Sequence, residues 1–483
     1  MKYQLARFIT LFFLLSASNT QGQSDLSVKS GIEIGKKYSF YSKILDEERE
    51  LWIRVPNGYI VDDTSRYPVV YLLDGNNNFI FTAGLLRQLE IRSVPKSILV
   101  GIINTDRSRD LTPPPSEKES GVGGADQFLE MLDKELFSYV KANFRTKDFR
   151  TLIGHSYGGL LAVYALAKDP DLFNAYLAIS PSLWWDEQKV VDFFGKSLRK
   201  NPETKAMLYM TMASERGKML GGLLKLVGIL ESENPKNLRW AYKVHPNEHH
   251  GSIPTISSLE GFHFFYKDWH IPGKEFEDYG LEVIAPRKAR IKKEFGETWE
   301  PENIIYDDML WDFIESRHFE RAIALSERLI DSGKKVPDFH ETAAIAYMNL
   351  NQPEKAKYHY KKMYQLNPGY QDGADMLDSL GMDKKRLLNP PSLAAQDLEK
   401  YVGYYSDGEN KARITIVEGI LKLHLKEPYF NIDSPLKVFK EHHFYVPDNY
   451  YTIQFLFGRN QDQATHLKVM ETTGWSNLLI RLE

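Results

Sequence analysis

Thr151-Leu-Ile-Gly-His-Ser-Tyr-Gly-Gly-Leu-Leu-Ala-Val-Tyr-Ala-Leu166 is the stretch on which the fold is decided. An apolar run enters a Gly-x-Ser-x-Gly turn and leaves as an Ala/Leu-rich run, which predicts strand, sharp turn and helix with Ser156 at the apex. Gly154 and Gly158 permit the close backbone approach such a turn needs, and a helix N-terminus beside Ser156 favours negative charge there. In isolation the motif is weak. A chain this long has on the order of a one-in-ten chance of containing one by accident. Its setting between strand and helix gives it weight.

The pattern extends in both directions. Residues 31 to 55 alternate as an antiparallel hairpin does (Ile32, Ile34; Tyr38, Phe40; Leu51, Ile53, Val55). Continuous apolar runs at Tyr67–Leu73, Ser97–Ile103, Phe149–Gly154, Ala175–Ile179 and Ala206–Met212 suit strands covered on both faces of a mostly parallel sheet, and Leu238–His245 closes the series. Helical spacing appears in Phe128–Phe144, Gly159–Lys168 and Ser257–Trp269. This alternation predicts a three-layer α/β domain over residues 25–272.

The remainder changes character twice. Residues 270–302 are rich in charge, Gly and Pro and read as a connector. From Tyr306 the period is helical, and Ala322 and Ala356 lie 34 residues apart (356 − 322). With Ala344, Tyr347, Tyr360 and Pro368, the second unit resembles tetratricopeptide repeats, whose period is 34; the first, carrying Leu310 and Ser326 at the equivalent places, is degenerate. Two repeats are too few to stand alone, so residues 303–385 are expected to pack on a neighbouring domain. Asn389-Pro-Pro391 punctuates the chain, and residues 393–483 alternate with many aromatics as a small antiparallel β domain does. Its opening, Leu398-Glu-Lys-Tyr-Val-Gly-Tyr-Tyr405, is similar to the start of small β domains appended to some secreted bacterial hydrolases.

Composition limits the function classes. Of 483 residues, 42% are hydrophobic and 26% charged, and the net charge is −4. That is globular, and with no Lys/Arg block standing out it argues against a nucleic-acid binder, which needs a basic face to displace counterions. Lys2, Arg7 and the apolar run Phe8–Ala17 read as a cleaved signal peptide over residues 1–22, which implies a secreted or periplasmic protein free of the membrane after cleavage. There is no cysteine, hence no disulfide and no Cys-based zinc site.

A serine nucleophile needs a base and an orienting acid, which follow it in that fold in the order Ser, acid, His. His245-Pro-Asn-Glu-His-His-Gly-Ser252 follows the last strand. His250 is preferred as the base because it precedes Gly251 in the strand-to-helix loop; His249 is second, and His245 falls in the strand. A metal site made by these three histidines is the alternative. Glu215, beyond Ala206–Met212, is the expected acid, with Asp186 competing. The backbone N–H groups of Tyr157 and of Asn76, in the Asp74-Gly75-Asn76 loop, are the expected oxyanion donors. Trp184 and Trp185 are candidate pocket walls or core residues. Arg107 and Arg109 are candidates to hold an anionic substrate, or structural partners of Asp110.

Leu72-Leu-Asp-Gly-Asn-Asn-Asn-Phe79, Arg107-Ser-Arg-Asp-Leu-Thr-Pro113, Gly154-His-Ser-Tyr-Gly-Gly159, Ser180-Pro-Ser-Leu-Trp-Trp185 and Glu248-His-His-Gly-Ser-Ile-Pro254 follow in this order. Together they resemble the putative esterase family of α/β-hydrolases, which includes siderophore esterases and esterase-D-like enzymes, over about residues 30 to 270. The resemblance implies hydrolysis of a small-molecule ester by Ser156 and His250, without metal or organic cofactor. The family's third member is less uniform, which leaves Glu215 open. Another acyl hydrolase or acyltransferase of the same fold, a peptidase for instance, is one alternative. The other is a non-catalytic protein that docks a protein partner through the helical repeats.

Overall fold

A computed structural model describes residues 33–482, apart from 58, 60–64, 118–119, 273, 276–279, 297, 408–409, 427–430, 459–461 and 474–475. The N-terminal residues read above as a signal peptide lie outside the described residues, as does Ile32 of the expected hairpin. Among the described residues, no helix is long and apolar enough to cross a membrane.

Eight strands form the first sheet: β1 (Lys36–Ser42), β2 (Glu47–Arg54), β3 (Tyr67–Leu72), β4 (Ile98–Ile102), β5 (Thr146–His155), β6 (Ala175–Ile179), β7 (Ala206–Met212) and β8 (Leu238–Val244). Their order is β1-β2-β4-β3-β5-β6-β7-β8. β1 and β2 pair antiparallel, as does β2 with β4, and the rest are parallel. Every residue of β3, β4, β6 and β7 is buried, because helices cover both faces. The pleat divides each strand between two cores. Val69 and Tyr71 join one, against the helices Tyr157–Lys168, Trp185–Lys200 and Lys218–Glu233; Val70 and Leu72 join the other, against Gly75–Leu89 and Ile253–Phe265.

The second core does not stop at this domain. The expected connector contains a helix, Ile284–Phe295, that seals the sheet's second face. Phe295 sits 4.7 Å from Phe149 and 4.6 Å from Trp269 between ring centroids, and Arg290 pairs with Asp268 at 2.7 Å. Charge-rich composition hid this helix, because its polar residues mask a narrow apolar stripe with Ile291 fully buried. Ile291 and Trp299 continue the core into Tyr306, Met309, Phe313 and Phe339. Five helices follow, at Asn303–Glu315, Phe319–Asp331, Pro337–Asn349, Pro353–Leu366 and Gln371–Ser379. The first two pairs begin 34 residues apart (337 − 303 and 353 − 319).

Nine antiparallel strands make the second sheet, from β9 (Gly403–Ser406) to β17 (Ser476–Leu482). Its edges are β12 (Asn431–Pro435) and β13 (Lys437–Lys440), joined through the single residue Leu436, so the sheet is rolled nearly closed. Tyr401, Tyr405, Phe444, Phe455 and Leu479 fill it. It is fastened to the helices by Asn449 N–H to Gly369 O at 3.1 Å and Asn367 Nδ2 to Tyr450 O at 3.1 Å.

At this junction, carboxyl groups converge: Asp307, Asp338, Glu341 and, at the end of β16 (Ala464–Glu471), Glu471. Burial, reinforced by repulsion from Asp338 and its neighbours, pushes Asp307 up to about 8. Burial likewise raises Asp338 to about 6 and Glu341 to about 7, the latter opposed by the hydrogen bond from Tyr370. The folded chain therefore holds protons that the unfolded chain releases near pH 4, and this contribution to stability is lost as pH rises toward 8. Buried His155 and His340, pushed down to about 4 chiefly by burial, act in the opposite sense, so the cluster is isolated by comparison. Asp307→Asn should lose less melting temperature than the wild type between pH 5.5 and 8.5. Parallel melting curves against pH would count against this linkage.

Candidate active site

β5 delivers Ser156 to the carboxyl edge of the sheet. There the backbone takes φ 60°, ψ −113°, and the helix Tyr157–Lys168 starts at once. Such a conformation is costly for a non-glycine residue and persists only when its surroundings fix it. They do: a Cβ on Gly154 would lie 2.1 Å from the Gly158 carbonyl oxygen, and one on Gly159 would lie 2.9 Å from Pro181 Cα. The Ser156 N–H continues the sheet to Ile179 O at 2.9 Å. The Ser156 hydroxyl meets Ser182 Oγ at 3.3 Å.

The loops after β7 and β8 are tied to each other. His245 N–H donates to Met212 O at 2.7 Å and Ser214 N–H to Glu248 O at 3.0 Å, which prolongs the strand pairing past both strand ends. Glu215 and His250 are thereby opposed, with Glu215 Oε1 2.6 Å from His250 Nδ1. Asp186 lies elsewhere and accepts from Ser116 N–H and hydroxyl at 2.7 and 2.8 Å. Burial pushes the Glu215 carboxyl up, but the hydrogen bonds from His250, its own backbone N–H and the Ser180 hydroxyl outweigh this and hold it below the usual carboxylate range. A carboxylate on Nδ1 fixes the tautomer with the proton on that nitrogen and leaves Nε2 as the basic atom. The His250 ring packs 4.4 Å from that of His155, the residue preceding Ser156, and so lies beside the serine turn.

His245 Nε2 is 3.0 Å from Glu260 Oε2, and His249 Nδ1 accepts from Gly251 N–H at 3.1 Å. The three histidines thus face three different partners. Among the described residues, no group of three or more His, Asp or Glu side chains is placed to hold a metal ion.

Asn76 belongs to the first turn of the Gly75–Leu89 helix rather than to a loop. The correction preserves its chemistry, since first-turn N–H groups have no intrahelical acceptor; the Tyr157 N–H is in the same position in its own helix. Asp74, before that first helix, is buried in the left-handed conformation at φ 53°. It accepts from Arg107 Nε at 2.6 Å and Nη2 at 3.0 Å, and from Asn104 Nδ2 at 2.6 Å. Arg107 also donates to His155 O at 3.1 Å and lies over the Tyr157 ring at 5.4 Å. It braces the two helix starts against each other, with about a third of its side chain exposed. Arg109 is engaged away from the serine, with Glu47 at 2.7 Å and Asp110 at 2.7 Å. This is the structural ion pair. The same network, through hydrogen bonds from Arg109 and Arg49 that outweigh burial, pulls the Glu47 carboxyl down to about 2. Trp184 is half-buried and Trp185 buried, 6.2 and 5.8 Å from the Tyr157 ring. Only Trp184 therefore has a face to offer a ligand.

Sequence reasoning did not assign roles to Asp74, His155, Ser180 or Ser182. The motifs quoted above contain all four, but only the fold shows which atoms they meet.

Part of the α/β domain is similar to known proteins. Residues 42–223, within the α/β domain, match the family described as "Putative esterase". The chain is 37% identical over 132 residues to a siderophore triacetylfusarinine C esterase of Aspergillus fumigatus, covering 25% of this chain and 45% of that protein. It is 31% identical over 160 residues to the ferri-bacillibactin esterase BesA of Bacillus subtilis, covering 28% and 55%. Among solved structures it resembles an IroE-like serine hydrolase of Shewanella oneidensis, with a TM-score of 0.53 and 29% identity over 62% of this chain and 100% of that one. The chain spans about half the length of the curated relatives it matches.

The different settings of the two acids give a direct comparison. Glu215→Gln should lower turnover of an ester substrate by roughly two orders of magnitude or more, because the imidazole loses its orienting charge. Asp186→Asn should change it by less than about threefold, since that carboxylate caps a loop. Equal losses in the two variants, measured as kcat, would remove Glu215 from its place.

Proposed function

We propose that this protein hydrolyses carboxylic esters of small molecules, with Ser156 as nucleophile, His250 as general base and Glu215 as the orienting acid. The observation that carries the reading is the 2.6 Å Glu215–His250 contact beside a serine held at φ 60° between strand and helix. The match of residues 42–223 to an esterase family and the similarity to siderophore esterases support ester hydrolysis as the reaction.

His250 Nε2 takes the Ser156 proton as Oγ attacks the ester carbonyl. The N–H groups of Tyr157 and Asn76 receive the oxyanion, each at the positive end of its helix. His250 then gives the proton to the departing alcohol, leaving an acyl-serine. Water repeats the sequence: His250 deprotonates it, the carbonyl bond to Oγ breaks, and Ser156 regains its proton as the acid leaves. No step calls on a metal or organic cofactor. The relatives make a siderophore ester, such as a lactone of several linked units, the first substrate class to try. An acylated carbohydrate is the next. Trp184 and the partly exposed Arg107 flank the ring of Tyr157, next to the serine, and would meet the remainder of such a substrate.

On the 34-residue spacing of their helix starts we assign the two helix pairs to the tetratricopeptide type, with a protein partner as their task. The basic and apolar N-terminal residues support export to the periplasm or beyond.

The reading is checked by hydrolysis of a panel of short-chain, feruloyl and catecholate esters together with a fluorophosphonate probe. The wild type should turn over at least one ester class and label stoichiometrically, and Ser156→Ala should do neither. A well-folded wild type inert to the whole panel and to the probe would refute it.

A further inference from the structure

Apart from the Ser180 hydroxyl's hydrogen bond to Glu215, the Ser180-Pro-Ser182 turn has no part in the chemistry described so far, yet it is tightly held. Ser180 and Ser182 are 0% and 2% exposed. Ser180 sits at φ 37°, which favours glycine, so the turn is held against a local cost. What holds it is a set of bonds to its neighbours. Ser180 N–H donates to Thr211 O at 2.8 Å, and Ala213 N–H donates to Ser180 Oγ at 3.2 Å. Ser182 N–H donates to Ser156 O at 3.0 Å, and Pro181 rests where only glycine at position 159 leaves room. The turn therefore bridges the acid-bearing loop after β7 and the serine turn after β5.

The orientation of one proton follows from this. A buried hydroxyl must give its proton to an acceptor or lose about 1–3 kcal/mol in free energy. Among the described residues, the hydrogen-bond partner of the Ser182 hydroxyl is Ser156 Oγ, at 3.3 Å. If Ser182 donates there, Ser156 Oγ is the acceptor, and its own proton is left to point elsewhere, toward His250. We propose that Ser182 acts on the nucleophile itself: its hydroxyl donates to Ser156 Oγ, directs the Ser156 proton to His250, and stabilises the oxygen whenever it carries negative charge. This rests on the esterase reading above.

The balance is simple. During acylation the Ser156 proton goes to His250 Nε2, the new bond joins Oγ to the acyl carbon, and the alcohol leaves with that proton. During deacylation His250 takes a proton from water, the water oxygen bonds to the acyl carbon, the Oγ–acyl bond breaks, and Oγ leaves with developing negative charge as His250 returns that proton to it. Ser182 keeps its own proton throughout and donates to Oγ in both steps. Ser180 is a positioning residue that fixes the turn from the far side.

Ser182→Ala tests this with little disturbance, because the backbone N–H to Ser156 O remains. Rapid-mixing kinetics on a chromogenic ester give the acylation and deacylation rates separately. Both should fall by roughly ten- to a hundredfold, in the lower range for loss of one donor to a developing oxyanion. KM measured under acylation-limited conditions and melting temperature should stay close to wild type, and Ser182→Thr, which restores a hydroxyl, should regain at least part of the rate. Rates within twofold of wild type would overturn the inference. So would a loss confined to melting temperature and KM, or one that threonine does not relieve while the threonine variant remains folded. A wild type that neither labels nor turns over fails the esterase reading and takes this inference with it. An active wild type with an indifferent Ser182→Ala fails the inference alone.

Discussion

The close passage of Gly154 past Gly158 is the constraint on which the site depends. With no Cβ between them, the chain reverses within a few residues, and Ser156 is thrust out at φ 60° between a strand fixed on both sides and a helix that starts immediately. Much else answers to that reversal. The helix N-terminus falls where negative charge would develop, Pro181 is admitted against Gly159, and His155 is pressed against the ring of His250. Burial, with the neighbouring His250, pushes His155 down to about 4, so the site carries a neutral ring there rather than a competing cation.

Two further devices place the other groups. Hydrogen bonds across the loops after β7 and β8 carry strand pairing beyond the strands, so Glu215 and His250 meet on backbone rather than on chance side-chain conformations. Asp74 and Arg107 join the start of the Gly75–Leu89 helix to the serine turn, so both expected oxyanion donors belong to one braced unit. The C-terminal half is attached to the opposite face of the sheet. Phe295 and Ile291 continue its second core into the helices, and the nearly closed β sheet is fastened to those helices in turn. That attachment supplies the neighbour that two helix pairs need to be stable.

The sheet and the chemical groups were legible in the sequence for different reasons. Buried parallel strands write themselves as unbroken apolar runs, and these stand out at β3, β4, β6 and β7. Ser156, Glu215 and His250 follow from the order of elements, because each lies just past a strand end on the same edge of the sheet. The Ile284–Phe295 helix was hidden by its charged exposed face. Asp-Gly-Asn signals a turn and so suggests a loop at Asn76, whereas in the fold Gly75 packs on Gly101 and a helix begins there. Arg109 and Arg107 are two residues apart and alike in sequence. Their separation into an internal network and a brace beside the serine depends on Glu47 and Asp74, which are distant in the chain. Ser182 is of the same kind, since a serine announces no partner and its partner is supplied by the fold.

The central claim is that Ser156 becomes covalently acylated, and intact-mass spectrometry with peptide mapping tests it most directly. After brief exposure to a slowly deacylating ester, the protein should gain the mass of one acyl group, located on the peptide that carries Ser156. Consumption of the ester with no adduct, or with the adduct on another residue, would contradict the account.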